Sequence, residues 1–210
     1  MSYAVKEAFL TLQGEGMQAG SRAVFLRFAG CNLWSGREQD RAAAVCNFCD
    51  TDFVGTDGVG GGKFVDAEAV AVHVAALWGP GTEQRLVVIT GGEPMLQLDS
   101  SLVDVLHGEG FRIAVESNGT IAAVAGIDWL CISPKAGSDV VQRRGDELKL
   151  VWPQAGIDPV ALEAWDFANF LVQPMDCADR EAALQAAIAL AMERPKWRLT
   201  LQAHKVVGLP

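Results

Sequence analysis

The chain has no apolar run approaching the roughly 18 residues that a helix needs to cross a bilayer. Its first residues, Met1 to Leu10, include Lys6 and Glu7 and lack the apolar stretch of a signal peptide, so cytoplasm is the expected compartment. Positive charge is short: 17 Lys and Arg against 26 Asp and Glu give a formal net charge of −9. That balance argues against nucleic acid as a partner, because phosphate contacts need clustered cations. No repeat and no linker divides the 210 residues, enough for one domain with a sizeable core. Cysteines are few and odd in number; of the five, three fall within 19 residues. With no export signal, that crowding reads as metal binding rather than disulfides.

Short β-rich runs alternate with helical patterns. Candidate strands are Ala23 to Phe28, Leu86 to Thr90, Arg112 to Glu116, Trp129 to Ser133, Glu147 to Val151, Phe170 to Gln173 and Arg198 to Gln202. Several are apolar on both faces, as parallel strands covered on both sides must be. Asp66 is placed to cap a helix running to about Trp78, ended by Gly79 and Pro80. Asp158 with Pro159 is a good helix start, and the alanine-rich stretch from about Ala178 to Met192 stops before Pro195. The gap from Ser133 to Glu147 is too short for a crossover helix. The pattern is α/β with a parallel sheet, thin on helices. Residues 55–63 (GTDGVGGGK) read as a flexible surface loop. They are not a phosphate-binding loop, since Phe64 stands where a Ser or Thr should follow Lys63.

Cys46 and Cys49 form a C-x-x-C pair, and Cys31 closes a segment just past the first strong strand. Thiolates from one turn suit iron–sulfur clusters or zinc. A structural zinc wants a fourth Cys or His nearby, and none follows. His73 sits mid-helix among apolar neighbours, Cys131 lies inside a strand, and Cys177 has no cysteine partner close by. Three ligands leave one position open, as radical S-adenosylmethionine enzymes require. Their usual motif is C-x3-C-x2-C; this chain has C-x14-C-x2-C. The longer loop costs only about 1.4 kcal/mol more to close, from the logarithmic loop term. Residues 35–45 have room for a short helix that keeps Cys31 near the pair.

Thr90-Gly91-Gly92-Glu93-Pro94 directly follows an apolar strand. It resembles the superfamily's GGEP segment, whose backbone and glutamate hold the amino group of the cofactor's methionyl part. Two glycines allow close approach of a ligand, and a carboxylate matches an ammonium.

Further stretches resemble one family, the 7-carboxy-7-deazaguanine synthases. They are Leu12-Gln13-Gly14-Glu15-Gly16 with Gly20, Phe25, Arg27 and Gly30-Cys31-Asn32-Leu33; Cys49-Asp50-Thr51; Glu116-Ser117-Asn118-Gly119-Thr120; Ser133-Pro134-Lys135; and Gln202-Ala203-His204-Lys205. The resemblance runs nearly end to end, and a cluster-loop insertion at about 32–45 is the main departure. It implies a single domain over 1–210 with a shortened, open (β/α)6-type partial TIM barrel of the radical SAM type, with few helices. It implies conversion of 6-carboxy-5,6,7,8-tetrahydropterin to 7-carboxy-7-deazaguanine with loss of ammonia, in queuosine and deazapurine biosynthesis. The implied cofactors are a 4Fe-4S cluster, S-adenosylmethionine and Mg2+. The implied partners are the pterin, an electron donor such as flavodoxin or ferredoxin, and a second copy in a homodimer.

The resemblance also implies roles for residues. Cys31, Cys46 and Cys49 hold the cluster and Thr51 the magnesium. Phe48, Asp50, Gly92, Glu93, Ser117, Ser133, Pro134, Lys135, Gln173 and Asp176 hold S-adenosylmethionine. Leu12, Gln13, Gly14, Glu15, Arg27, Thr90 and His204 hold the substrate, Arg27 by pairing its guanidinium with the substrate carboxylate. Plainer readings stand beside these: Phe48 as core filler, Arg27 in a surface salt bridge, the Gln13–Gly16 segment as a turn, His204 as an ordinary polar residue, and Ser117 and Asn118 as a helix cap. Thr51 has the reading of a hydroxyl bonded to its own loop. Two other functions remain open here. A glycyl-radical-activating enzyme shares the cluster and GGEP but has no use for Gln13–Gly16 or Cys49-Asp50-Thr51. A three-cysteine zinc module leaves GGEP without a purpose.

Overall fold

The computed structural model describes all of residues 1–210. Nine strands form one sheet: β1 (Tyr3–Leu12), β2 (Arg22–Phe28), β3 (Gly62–Phe64), β4 (Leu86–Gly91), β5 (Arg112–Ser117), β6 (Trp129–Ile132), β7 (Arg144–Trp152), β8 (Asp166–Pro174) and β9 (Trp197–Leu199). Their order is β3-β1-β2-β4-β5-β6-β7-β8-β9. From β2 onward every neighbouring pair is parallel, so seven strands present their C-terminal ends along one edge.

The sheet is mixed, which corrects the purely parallel expectation. β1 runs antiparallel to β2, and β3 antiparallel to β1. The register of β1 shifts between Val5 and Glu7, and this irregularity breaks the alternation by which a strand is read. The residues 55–63 are not a free surface loop either. Gly58 N–H donates to Lys6 O and Ala8 N–H to Val59 O, and the Lys6 ammonium reaches Val54 O and Asp57, so the segment is fastened along β1 before it enters β3. His73 bonds Gly60 O from the helix side, in the structural part expected of it.

Five helices complete the chain: α1 (Ala67–Trp78), α2 (Ser100–Gly108), α3 (Pro159–Leu162), α4 (Arg180–Glu193) and α5 (Ala203–Val207). α1 starts where expected, with the Asp66 carboxylate accepting from Ala69 N–H, and ends at Gly79. Asp158 and Pro159 start only one turn. α2 was not foreseen: it has nine residues, and its signal is the Asp99 cap on Leu102 N–H. The last strand is shorter than expected and stops at Leu199.

The two faces of the sheet differ. Val24, Leu26, Val87, Ile89, Ile113, Val115, Leu148 and Leu150 point toward the helices into a core of 33 buried residues. Residues of the opposite parity make a smaller cluster, Ala23, Leu86, Val88 and Ala114, near the strand starts. Farther along the same inner face the side chains turn polar: Thr90, Glu116, Glu147, Lys149 and Gln173. No helix is long and apolar enough to cross a membrane.

Candidate active site

The inner face opens at the C-terminal strand ends into a cavity of about 400 Å³. Ligands collect at such ends in α/β folds because loops diverge there and leave backbone groups free. Cys31 lies three residues past β2, and its thiol accepts from Leu33 N–H at 3.4 Å. Cys46 and Cys49 line the same cavity. The Cys46 thiol hydrogen-bonds Cys49, which holds Cys49 down at about 6 and pushes Cys46 up. Burial pushes Cys31 up as well. No three His, Cys, Asp or Glu side chains converge closely enough for a single metal ion. All three thiols face the same cavity. Cys131 is buried against Glu147 and Cys177 is exposed, both outside this group.

The long Cys31–Cys46 spacer is folded onto itself. A 3-10 turn over Glu38–Ala43 carries Arg41, whose guanidinium stacks 4.1 Å from the Trp34 ring and donates to the carbonyls of Asn47 and Cys49. Cys46 N–H donates to Leu33 O and shuts the loop at its neck. The Phe48 ring is half-buried on the cavity wall.

At the GGEP segment the structure sets Glu93 apart from the cavity. Its carboxylate is fully buried and is not on the cavity wall. It accepts from Met95 N–H at 2.9 Å, Ser117 Oγ at 2.9 Å and Asn118 N–H at 2.8 Å. Through these three donors it ties β4 to β5 from behind. Gly92 does line the cavity, and only glycine fits there: a Cβ would lie 2.3 Å from Gly30 O and 2.6 Å from Cys31 Cβ. The close approach is to the cluster loop, not only to a ligand.

Ser117 reaches the wall with its hydroxyl held by Glu93, and Asn118 turns to Asn32 and Thr120. No helix follows them, which removes the capping alternative. Ser133 and Lys135 line the cavity, with Lys135 Nζ on Ser133 O and Oγ at 2.7 and 2.6 Å. Burial lowers the Lys135 ammonium. Pro134 is buried beneath the wall, its carbonyl taken by Gln154. Gln173 Oε1 is buried with no hydrogen-bond partner, an acceptor waiting for a donor from the cavity. Asp50 and Asp176 both pair at 2.6 Å with Lys205, which draws the C-terminal segment across the cleft.

The opposite wall holds the other group. Arg27 and Thr90 are register partners on β2 and β4. Arg27 Nε donates to Glu7 Oε1 at 2.8 Å, leaving the two Nη groups for the cavity. Phe9 and Phe25 stack with centroids 5.8 Å apart and give that wall a flat apolar patch. Leu12 and Thr51 lie on the wall too, Thr51 half-buried. Gln13, Gly14 and Glu15 form the edge beside His204; a Cβ on Gly14 would sit 2.3 Å from His204 Nδ1, and Ala203 N–H donates to Gly14 O.

Sequence reasoning missed Glu7, Lys149 and Pro210, and gave no role to Glu116 and Gln202 within the motifs that hold them; all five line the cavity. Lys149 Nζ bonds Glu15 Oε2 at 2.5 Å and Glu116 Oε2 at 2.8 Å. Burial works to raise Glu15, but the Lys149 ammonium overrides it and holds the carboxyl at about 2. The available signal is the pair of charges Glu147 and Lys149, which alternate with Leu148 and Leu150 in the run Glu147–Val151.

No family model matches the sequence. Curated relatives do. The chain is 62% identical to the 7-carboxy-7-deazaguanine synthase of Caulobacter vibrioides over 210 residues, all of both chains. It is 57% identical over 210 residues to the enzyme of that name from Bordetella pertussis, again with full coverage. Among solved structures, the crystal structure of QueE from Escherichia coli matches with a TM-score of 0.70 and 26% identity, over 97% of this chain and 95% of that one.

Proposed function

The chain belongs to the 7-carboxy-7-deazaguanine synthase family, and from that premise we propose how its cavity converts 6-carboxy-5,6,7,8-tetrahydropterin to 7-carboxy-7-deazaguanine. Bound together, a 4Fe-4S cluster and S-adenosylmethionine supply the radical chemistry that starts the ring contraction. The donor set fits both groups: three thiols with a depressed Cys49 among them, and the orphaned Gln173 Oε1 suited to a ribose hydroxyl. Cys31, Cys46 and Cys49 hold the cluster. The main chain around Phe48 and Asp50 takes the adenine. Gly92, Ser117, Ser133, Lys135, Gln173 and Asp176 take the remainder, Glu93 and Pro134 shaping them from beneath.

Arg27 pairs with the substrate carboxylate through its free Nη atoms while Glu7 fixes its plane. Gln13, Glu15 and His204 meet the aminopyrimidinone edge, whose N–H donors match the Glu15 carboxylate, ionised at neutral pH. The Phe9–Phe25 stack gives the ring an apolar wall and keeps water off it. Thr51 offers a hydroxyl to a magnesium ion that the substrate carboxylate completes. The sheet order supports an open partial barrel over a single domain. An electron donor such as flavodoxin or ferredoxin, a homodimer and a cytoplasmic setting belong to the same reading.

One observation carries this: the three thiols and the pair Arg27 and Glu15 line a single cavity. The test is anaerobic turnover of reconstituted enzyme with reductant, S-adenosylmethionine and the pterin. A deazaguanine chromophore with release of ammonia is expected. Inertness toward the pterin, with a radical delivered to a partner protein, would return the activating-enzyme alternative.

A further inference from the structure

The floor of the cavity holds a charge arrangement that the roles above leave unexplained. Lys149 is 3% exposed, in the middle of β7, with its ammonium between Glu15 from the loop after β1 and Glu116 from the end of β5. Each carboxylate has its second oxygen engaged by an amide: Glu15 Oε1 by Gln202 Nε2 and Glu116 Oε1 by Gln13 Nε2, both at 2.9 Å. Gln13 closes the chain by accepting from Glu15 N–H. Two carboxylates and one ammonium leave one net negative charge in a cavity that Arg27 also lines. Other charged or titratable groups around Lys149 are Glu147 on its own strand, Cys131 on β6 and Lys135 beyond β6; His204 on α5 faces Glu15.

A lone lysine buried in a strand costs desolvation, and its retention needs a reason beyond packing. We propose that Lys149 is the positioning residue of the substrate floor: it keeps Glu15 and Glu116 ionised side by side, so that both stay acceptors for the amino and ring N–H donors of the aminopyrimidinone edge. Without it, two carboxylates that now meet one ammonium are left to repel each other, which favours protonation of one of them, and the protonated one turns into a donor aimed at another donor. The inference rests on the substrate reading above and deepens it. It assigns selection of the aminopyrimidinone edge to a lysine that need not touch it.

The experiment uses cluster-loaded enzyme and 6-carboxypterin, an aromatic, fluorescent ligand that binds without turnover, titrated from pH 5.5 to 7.5. Wild type should bind with an affinity that is flat across this range. Lys149→Met should bind at least tenfold more weakly at pH 5.5 and regain affinity as pH rises, with iron and sulfide unchanged. Adding Glu116→Gln to it leaves Glu15 without a repelling neighbour and should restore a flat profile, with tighter binding at pH 5.5 than Lys149→Met alone. Where Lys149→Met does not retain its cluster, Lys149→Gln carries the same comparison. A lysine variant that binds like wild type, or one whose loss is independent of pH and not rescued by Glu116→Gln, overturns the proposal. Wild type that ignores 6-carboxypterin instead overturns the substrate reading on which it rests.

Discussion

The Glu93 carboxylate accepts the Ser117 hydroxyl at 2.9 Å, so the ends of β4 and β5 are joined behind the cavity by a buried charge. This contact makes a glutamate of the GGEP segment a brace. Glu93→Ala leaves the Ser117 hydroxyl and the N–H groups of Met95 and Asn118 without their acceptor, and should lower unfolding free energy by about 1.5–3 kcal/mol. Denaturant unfolding of cluster-free protein measures this directly. Unchanged stability with weakened cofactor binding would put the carboxylate back among the ligand contacts.

Arg41 should matter to iron and not to the fold. Arg41→Ala removes the donors to Asn47 O and Cys49 O and the stack on Trp34, all within the cluster loop. Iron retained after anaerobic desalting should fall well below wild type, while the thermal transition moves little. Cys31→Ala should lose most of the iron outright, and Cys131→Ala should keep it. Full iron retention by Arg41→Ala would show that the loop does not need its staple.

Magnesium should act through Thr51. A site with one protein hydroxyl is weak until the substrate supplies further oxygens. Product formation should rise with added magnesium, and Thr51→Ala should lose most of that response while holding its iron. Activity indifferent both to chelator and to Thr51→Ala would remove the metal from the reading.

Acid stability should report on Glu15. Its carboxyl is held at about 2 in the folded chain against an ordinary 4.5. A depressed carboxyl contributes stability that is fully present above the unfolded value and is lost as pH falls toward the folded one. Between about pH 4.5 and 2, wild type should therefore lose stability faster than Glu15→Gln does. Parallel stability curves for the two proteins over this window would show that Lys149 does not hold the charge.

Much of the site was legible because its motifs fall at strand ends, where glycine, proline and thiol leave a mark in the sequence. Cys31 after β2, Gly92 after β4, Ser133 after β6 and Gln173 at β8 all reach the cavity as their positions suggest. Lys149 was passed over, and Glu116 left without a role, because they lie within strands and read as interruptions of a core; only the inner face shows that this part of the sheet is not core. Glu93 lies off the cavity wall, which its position alone does not reveal. A strand end has a back as well as a front, and the direction of one side chain depends on the neighbouring strand, which the local sequence does not contain. β1 was obscured by its own register shift.

Leu33 O receives Cys46 N–H, so the chain leaves the cluster wall and returns to nearly the same point. The residues between them form a closed bubble, knotted by Arg41, that adds length to the sequence without adding distance in space. Spacing between ligands is thus a property of the polymer rather than of the site. A search keyed to three residues between the first two cysteines passes over this chain, and the bubble is where length can change while the wall stays as it is.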